Sequence, residues 1–374
     1  MNIVLVSNGN RIDDDLIYFR YALTLADAGF NVSIVGRKSI ADKIDSRINA
    51  IIIDECKSRL ARFGRSLFQI KKCCLSMADA DTVFLLFTVD LTYIAKDIVR
   101  QGAKVILVYM ENYYEKIMSK KWIPVALRPL VRDALYTRQI KTSNIAAASI
   151  FVDHVTMEKF GPDIKTKKVL LPNYPLLQKR ITIQHDFSVR PVRLVYVGGI
   201  SRERGLETML SLCKVLCDEV ELHLFGIPSE PDFQKLISEH SNVFYHGVIP
   251  HTVMLEELSR YDIGLFLPQR GSMFNYCAEN TTKIFEYMRS GLPIICTDLP
   301  GLKKIIVEDS DTGICVETDN LGELVNRVRS FISYQNIDEL NRMSSNGMVK
   351  HKLVYNWSSI SDRLINVVKS RGLE

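Results

Sequence analysis

Residues 193–205 read RLVYVGGISRERG, and this stretch decides the fold class of the chain. An apolar run of strand length, 193–197, precedes two glycines, and a helical pattern follows over 205–217. A strand that leads through a glycine-containing turn into a helix is the unit of parallel sheets covered by helices. Ligands bind such sheets at the carboxyl ends of the strands, so this turn is the first candidate site.

The turn has the residues of an anion site. Gly198 and Gly199 let the backbone approach a ligand closely, and the following helix offers free N–H groups. Arg202 and Arg204 can add charge-assisted hydrogen bonds to a phosphate. The alternative is an ordinary βα loop with solvated arginines. The turn is neither a G-x-x-x-x-G-K-[ST] loop nor a good G-x-G-x-x-G fingerprint, so both readings stay open.

The same alternation extends in both directions along the chain. Before residue 175, apolar runs of strand length occur at 2–6, 31–35, 50–53, 82–87, 104–109, 147–152 and 168–171. After residue 191 they occur at 193–197, 219–225, 243–245, 263–267, 293–296 and 313–316. We interpret the polar stretch 175–191 as an inter-domain linker. The pattern predicts an α/β protein of two doubly wound, Rossmann-like domains, 1–178 and 190–352, facing each other across a cleft.

The composition limits which classes of protein are compatible with the sequence. A chain of 374 residues with 47% hydrophobic and 24% charged residues indicates a globular protein of two domains. No apolar run is long enough for a membrane span, and the first strand begins so close to Met1 that we expect no signal peptide and a cytoplasmic protein. The eight cysteines form no C-x-x-C pair, so we expect reduced thiols and no zinc cluster. The histidines also lack metal-ligand spacing, and a net charge of +5 is too small to indicate nucleic acid.

The second candidate site is the segment 279–288, ENTTKIFEYM, followed by the GLP of 291–293. Asn280, Thr281 or Thr282 can cap a helix that starts here. Glu286 is placed to accept hydrogen bonds from a ribose diol, and Lys283 to meet a phosphate. The alternative is a surface helix with an ordinary i, i+3 pair of Lys283 and Glu286.

A third candidate follows the strand that ends at Tyr109. Glu111 and Asn112 lie at the carboxyl end of a predicted parallel strand, where site residues are common. A capping or loop role is equally compatible with the pattern.

Two basic stretches with interleaved aromatic residues are compatible with an anionic membrane surface. The alternative is a solvated face over an ordinary core stripe. The first stretch contains Lys57, Arg59, Arg62, Arg65, Lys71 and Lys72, and the second contains Lys116, Lys120, Lys121, Trp122, Arg128 and Arg132.

Taken in order, these motifs resemble those of family-four retaining glycosyltransferases of the GT-B fold. In the C-terminal half the resemblance covers about 160 residues. Its segments are 198–205, 224–226 (LFG), 242–249 (NVFYHGVI), 261–268 (YDIGLFLP) and 283–295 (KIFEYMRSGLPII), the last being the most specific. The N-terminal half matches through its strand pattern and 172–175 (PNYP). Residues 355–358 (YNWS) resemble the closing motif of the family, after which a terminal helix, 357–374, is expected to pack back on the first domain.

The resemblance implies a nucleotide-sugar donor held by the second domain. Glu286 would bind the ribose hydroxyls, and Val248 or Ile249 would contact the base. Arg204, with or without Lys283, would bind the diphosphate. The peptide of Asn280, Thr281 and Thr282 would present backbone amides to the donor, while Asn8, Gly9 and Asn112 would lie on the acceptor side. No cofactor and no metal is expected, because basic groups and a helix N-terminus neutralise the leaving diphosphate.

The sequence departs from the family pattern in three places. The family has two glutamates separated by seven residues, but position 278 is alanine, so Glu279 is expected to take that role. The usual arginine of the first donor loop falls at Gly199, and either Arg202 replaces it or Arg204 acts alone. A histidine near the reaction centre of relatives aligns with Glu111. Glu279 and Glu111 are therefore the predicted catalytic residues.

The prediction is transfer of a sugar from a nucleotide-diphosphate donor to an acceptor hydroxyl, with retention, in polysaccharide or glycolipid biosynthesis. The acceptor would be a carbohydrate or a lipid-linked molecule at the cytosolic face of an anionic membrane. A nucleotide-sugar epimerase or hydrolase of the same fold is one alternative. A catalytically silent, nucleotide-binding partner subunit is another.

Overall fold

The computed structural model describes residues 1–38, 44–54, 62–118, 120, 122–177, 184–250, 253–271 and 278–370. The side chains of Arg62 and Asn280 lie outside that description, as do Lys57, Arg59 and Lys121. The chain forms two compact units, one of residues 1–173 and 360–374 and one of residues 174–359. Each unit is a parallel sheet with helices, as the alternating pattern predicts.

The described part of the first unit contains a seven-stranded parallel sheet. Its strands are β1 (Asn2–Arg11), β2 (Asn31–Arg37), β3 (Ile48–Ile52), β4 (Thr82–Leu86), β5 (Lys104–Tyr109), β6 (Ala148–Phe151) and β7 (Lys167–Leu170). Their order is β3-β2-β1-β4-β5-β6-β7, so the direction of winding reverses between β1 and β4. The central strands β4, β5 and β6 are apolar runs buried on both faces, as expected for a sheet covered by helices, whereas the edge strands β3 and β7 keep exposed residues.

Helices alternate with the strands of this sheet along the chain. Asp14 caps the first helical segment by accepting hydrogen bonds from the N–H groups of Leu16 and Ile17. The α-helices are α1 (Leu23–Asp27), α2 (Leu67–Met77), α3 (Ala95–Arg100), α4 (Tyr113–Met118), α5 (Arg128–Ser143) and α6 (His154–Phe160). Shorter 3-10 and π segments span Asp15–Ala22, Arg62–Ser66, Val89–Tyr93, Val125–Leu127 and Gly161–Asp163.

The second unit has a six-stranded parallel sheet in its described residues. Its order, β10-β9-β8-β11-β12-β13, is that of a Rossmann fold, with the reversal between β8 and β11. The crevice outside the carboxyl ends of β8 and β11 is therefore where such a sheet binds a ligand. The strands are β8 (Val192–Val197), β9 (Val220–Phe225), β10 (Val243–Tyr245), β11 (Ile263–Phe266), β12 (Ile294–Thr297) and β13 (Gly313–Val316).

The helices of the second unit follow the strands in alternation. They are α7 (Leu206–Val215), α8 (Phe233–Ser238), α9 (Met254–Leu258), α10 (Thr282–Arg289), α11 (Pro300–Lys303), α12 (Leu321–Phe331) and α13 (Ile337–Leu353). Shorter segments span Ala278–Asn280, Lys304–Asp309, Tyr334–Asn336 and Trp357–Ser359.

Two glycines bring the loops at the carboxyl edge of this sheet together. Gly205, with φ +90°, lies so close to β11 that an added Cβ would stand 1.8 Å from the carbonyl oxygen of Leu267. At Gly226, with φ +137°, an added Cβ would likewise stand 1.8 Å from the carbonyl oxygen of Gly198. Only glycine fits at such positions, because they combine a left-handed backbone with direct backbone contact.

The polar stretch 175–191, which we interpret as an inter-domain linker, contacts the second unit in its described C-terminal part. His185 bonds through Nε2 to the carbonyl oxygen of Ser290 at 2.8 Å, and Phe187 is buried. Both contacts anchor the segment to the second unit. The polar composition of 175–191 gave no indication that Phe187 would be buried.

The terminal helix predicted over 357–374 is two elements. A 3-10 turn, Trp357–Ser359, belongs to the second unit, and the N–H of Trp357 donates to the carbonyl oxygen of Pro175 at 2.8 Å. Helix α14, Ser361–Lys369, belongs to the first unit, where it contacts α1 and buries Leu364, Val367 and Val368. The chain thus passes between the units twice.

Candidate functional site

Two cations converge on the turn that follows β8. A carbon added at Gly198 would lie 3.5 Å from Nζ of Lys283 and 3.7 Å from Nη1 of Arg204. A carbon added at Gly199 would lie 3.4 Å from the same Nη1 atom. The structure therefore brings together four predicted donor residues, three from the loop after β8 and one from α10. They stand at the crevice where the sheet order reverses.

The amine of Lys283 is held by aromatic residues. Its Nζ donates a hydrogen bond to the hydroxyl of Tyr196 at 3.1 Å, and that hydroxyl donates to the carbonyl oxygen of Gly199 at 2.7 Å. The same Nζ lies 4.1 Å from the ring centroid of Phe266 and 4.5 Å from that of Tyr196. These contacts fix a cation beside the glycine turn.

Burial lowers the pKa of the Lys283 amine well below its usual value, and the positive charge of Arg204 lowers the pKa further. A buried amine beside the half-buried guanidinium of Arg204 is electrostatically unfavourable, because like charges repel. This pair of basic side chains suits a phosphate, since an anionic ligand would counter the repulsion.

Helix α10 is a buried helix, so the alternative of a surface Lys283–Glu286 pair is wrong. Glu286 is 4% exposed, and its Oε2 accepts a hydrogen bond from Nη1 of Arg289 at 3.0 Å. Lys283 instead extends to Tyr196. The carboxylate is therefore held in place by an arginine one turn further along the helix.

The residues before α10 form a 3-10 turn, Ala278–Asn280. Ala278 is buried, Glu279 is half-buried in this turn, and Thr281 is the N-cap residue of α10, with its side chain making no cap hydrogen bond. Helix α10 begins at Thr282. The peptide predicted to present amides thus lies at the helix N-terminus, where N–H groups have no intrahelical partner.

Arg202 is engaged by three carboxylates of its own unit. Its guanidinium donates to Glu230 at 2.7 Å, to Glu207 at 2.6 Å and to Asp232 at 2.8 Å. These ion pairs tie the loop after β8 to the segment before α8. Arg204, whose Nη1 faces both glycines, is the arginine that the structure brings to the turn.

The loop after β10 lies beside the loop after β9. The N–H of Gly226 donates to the carbonyl oxygen of Gly247 at 2.7 Å, so this loop is joined to the one that touches Gly198. Val248 is 64% exposed, and Ile249 is half-buried. An exposed apolar side chain next to a phosphate-type site is a suitable surface for a nucleobase.

In the first unit, Asn8 lies in a buried polar network at the carboxyl end of β1. Its Nδ2 donates to a carboxylate oxygen of Asp90, its Oδ1 accepts from the hydroxyl of Ser66, and its backbone N–H donates to Oγ1 of Thr88 at 3.4 Å. The N–H of Gly9 donates to Oγ of Ser7 at 3.3 Å. The Asn8 side chain thus holds loops of the first unit together.

Glu111 and Asn112 lie after β5, as the sequence predicts. The Glu111 carboxylate forms an ion pair with Lys116, and Oδ1 of Asn112 accepts from the N–H of Glu115 at 3.3 Å, which is a capping role. Glu111 also lines a depression of about 300 Å³ at the ends of β4 and β5. Gln139 of α5, which the sequence analysis missed, lines it too, and its buried Oε1 has no hydrogen-bond partner among the described residues.

Two other kinds of site are absent from the described ranges. No cluster of three or more His, Cys, Asp and Glu side chains there has the geometry to hold a metal ion. No helix in that part of the chain is long and apolar enough to cross a membrane.

The two Rossmann-like units define the fold class as GT-B, and the solved structures most like this chain include GT-B glycosyltransferases. Within the chain, residues 178–349 match the family model of glycosyl transferases group 1. The match falls within the second unit. Among curated proteins, no match to the chain is found.

Three solved structures illustrate the likeness of the fold. Sucrose-phosphate synthase (tll1590) from Thermosynechococcus elongatus has 16% identity and a TM-score of 0.74, with 99% of this chain and 98% of that chain covered. WaaG, a glycosyltransferase involved in lipopolysaccharide biosynthesis, has 12% identity and a TM-score of 0.70, with 97% and 99% covered. Anabaena Alr3699/HepE, solved with UDP and glucose, has 10% identity and a TM-score of 0.68, with 99% and 100% covered.

Proposed function

We propose that the protein transfers a sugar from a nucleotide-diphosphate donor to an acceptor hydroxyl. The observation that carries the proposal is the convergence of Arg204 and Lys283 on the Gly198–Gly199 turn, at the crevice between β8 and β11. The match to the family model of glycosyl transferases group 1 spans this whole constellation and supports the same activity.

In this proposal the second unit holds the donor. The diphosphate lies against the Gly198–Gly199 turn, with Arg204 and Lys283 as its cations. Glu286, whose carboxylate is oriented by its hydrogen bond from Arg289, accepts hydrogen bonds from the ribose hydroxyls. Val248 and Ile249 contact the base, and the amides of 280–282 bind donor phosphate or sugar. Arg202 acts by fixing its loop, since three carboxylates already engage its guanidinium.

Catalysis is attributed to positioning and to stabilisation of the leaving diphosphate. Arg204, Lys283 and the N-terminus of α10 supply positive charge where negative charge develops on the leaving group. We assign Glu279 to the sugar and Glu111 to the acceptor side of the reaction. Retention at the anomeric carbon is part of the proposal, as is independence from metal ions.

For the acceptor we propose a carbohydrate or a lipid-linked molecule of polysaccharide or glycolipid biosynthesis. The depression beside Glu111 is partly apolar and carries the amide of Gln139, a suitable partner for a hydroxyl group. Among structures of similar fold, WaaG is described as acting in lipopolysaccharide biosynthesis.

We propose peripheral contact with an anionic membrane through the exposed apolar side chains of residues 122–130, on the cytosolic side. In this segment Val125 is 71% exposed, Leu130 68% and Trp122 54%. Arg128 braces it by donating to the carbonyl oxygens of Met118 and Ile123, each at 3.0 Å. Exposed aromatic and aliphatic side chains with adjacent basic groups favour the membrane interface.

The membrane contact is tested by sedimentation with phosphatidylglycerol and with phosphatidylcholine vesicles. Binding should rise with the anionic lipid, fall with salt, and be lost in the double variant Trp122→Ser, Leu130→Ser. Leu353→Ser is the matched control, because Leu353 is 67% exposed in the second unit. If the double variant and Leu353→Ser bind anionic vesicles equally well, this face does not bind the membrane.

The donor reaction is tested by incubating the protein with a panel of uridine, guanosine and cytidine diphosphate sugars, with and without carbohydrate acceptors. The product anomer is determined by NMR. Glu286→Gln should lower kcat/KM about 10- to 150-fold, because a hydrogen bond to a charged group contributes about 1.5–3 kcal/mol. The exposed Glu239 gives the control Glu239→Gln, which should leave turnover unchanged.

The outcomes separate the alternatives. Donor consumption or epimer formation that needs no acceptor would replace transfer by hydrolysis or epimerisation. Nucleotide binding without turnover on the whole panel would indicate a silent partner subunit. Full activity in Glu286→Gln would overturn the ribose assignment.

A further inference from the structure

A pair of cysteines connects the last two strands of the second sheet. Cys296 of β12 and Cys315 of β13 are register partners on neighbouring parallel strands. Their Sγ atoms are 3.3 Å apart, and the Cys296 thiol also points toward the carbonyl oxygen of Ile314 at 3.6 Å. The two sulfurs are thus in contact, on side chains that already face each other.

The two thiols differ in their access to solvent. Cys296 is fully buried, whereas Cys315 is half-buried on β13, which is the edge strand of the sheet. A small oxidant can therefore reach Cys315 first. An edge strand has only one neighbour, so β13 can shift toward β12 without breaking a second ladder of hydrogen bonds.

We propose that Cys296 and Cys315 are a redox-sensitive site, which a peroxide converts into a reversible disulfide. The Cys315 sulfur attacks a peroxide oxygen, becomes a sulfenic acid and releases water when hydrogen peroxide is the oxidant. The Cys296 sulfur then attacks the Cys315 sulfur, the S–S bond forms and a second water leaves. The two sulfurs give up two electrons and the two thiol protons, and the peroxide is reduced to two molecules of water.

Geometry makes this bond feasible but easily reversed. The sulfurs must approach from 3.3 Å to about 2.05 Å, the length of a disulfide bond. Because Cys315 is partly exposed, a thiol reductant can attack its sulfur in the closed bond and restore both thiols.

Burial supports the proposed order of attack. It raises the pKa of the Cys296 thiol well above its usual value, with the neighbouring Cys315 and Asp298 adding to the shift. A thiol kept protonated is a poor nucleophile toward free peroxide. Held in contact with a sulfenic acid, it reacts within the molecule, where proximity compensates for low reactivity.

The experiment uses the full-length protein in its native state. The reduced protein is treated with hydrogen peroxide, its free thiols are alkylated, and proteolytic peptides are analysed by mass spectrometry. We expect one cross-linked peptide pair containing Cys296 and Cys315, lighter by two hydrogen atoms than its two parts. Dithiothreitol should restore both free thiols.

Internal controls make the result decisive. Cys213 and Cys217 lie four residues apart, one buried and one exposed, and should remain unlinked under the same treatment. In Cys296→Ser, Cys315 should proceed to sulfinic acid, because no second thiol traps the sulfenic acid. Recovery of Cys296 as a free thiol beside a sulfinic Cys315 in the wild-type protein would overturn the proposal.

Discussion

Replacing Lys283 by methionine should stabilise the unliganded protein while weakening its hold on a diphosphate. The amine is buried against Tyr196 and Phe266, with Arg204 as a cationic neighbour. Each unit by which burial and Arg204 lower the pKa of the amine corresponds to about 1.4 kcal/mol of lost stability while the amine is charged, and methionine removes that loss. The methionine keeps the packing of the stem, and Tyr196 keeps its hydrogen bond to Gly199.

The pH dependence of this gain has a definite sign. Because the pKa of Lys283 is lower in the folded protein than the usual 10.5, the unfolded chain binds more protons above the folded pKa. The wild-type protein therefore gains stability as pH rises through the folded pKa toward 10.5. The advantage of Lys283→Met should be largest below that window and shrink within it.

The effect on ligand binding has the opposite direction. Loss of one charge-assisted contact to a diphosphate should cost about 1.5–3 kcal/mol, so the dissociation constant should rise about 10- to 150-fold. Binding of the corresponding nucleosides, which lack phosphate, should change little. Titration calorimetry with nucleoside diphosphates and nucleosides measures both quantities.

Thermal unfolding measures the stability change, at about 2–4 °C per kcal/mol for a unit of this size. Lys303→Met is the matched control, because Lys303 is an exposed lysine that lies 3.9 Å from Asp298. Such surface pairs contribute little, so this variant should leave the melting temperature within the error of the wild type. A destabilised Lys283→Met, or one with unchanged diphosphate affinity, would refute the reasoning.

Two other predictions concern stability. Gly205→Ala should destabilise the protein by about 3 kcal/mol or more, because it combines a positive φ with a carbon 1.8 Å from the Leu267 carbonyl oxygen. Gly29→Ala, with φ +85° and open space around it, should lower the free energy of unfolding by only about 1–2 kcal/mol. If urea unfolding gives equal losses for the two variants, the contact with Leu267 is not what destabilises Gly205→Ala. Burial lowers the pKa of His351 from 6.5 to about 4, so up to about 3 kcal/mol of stability should be lost as pH falls from 6.5 to 4. His351→Gln should flatten that part of the urea-unfolding profile, and an unchanged slope would assign the loss to other groups.

The sheets could be predicted from sequence because each strand is a short apolar run with its own turn. Periodicity reports burial, and burial on both faces leaves few options for a run of five or six residues. The Gly198–Gly199 turn was located for the same reason. Lys283 was predicted as a phosphate-binding residue from its place in the segment 279–288, although the sequence was also compatible with a surface position.

Pairings between distant segments were not accessible in this way. Arg202 and Arg204 are equivalent in sequence, and only the fold shows that Glu230 and Asp232 engage the first of them. Tyr196 looked like one more apolar residue of β8, although its hydroxyl carries the link between Lys283 and the turn. Such roles depend on which loops meet at a sheet edge, and periodicity has no information about that.

Helix α14 packs in the first unit but is synthesised only after the whole second unit. The first unit is begun by residues 1–173 but takes its last helix from residues 361–369, after the whole second unit. At about 5–20 residues per second, a ribosome needs roughly 10–40 s to bridge that gap. Throughout this interval the surface that Leu364, Val367 and Val368 later cover has no partner from its own chain. Until α14 has been synthesised, the nascent first unit therefore exposes an apolar surface of the kind that makes folding intermediates prone to aggregation.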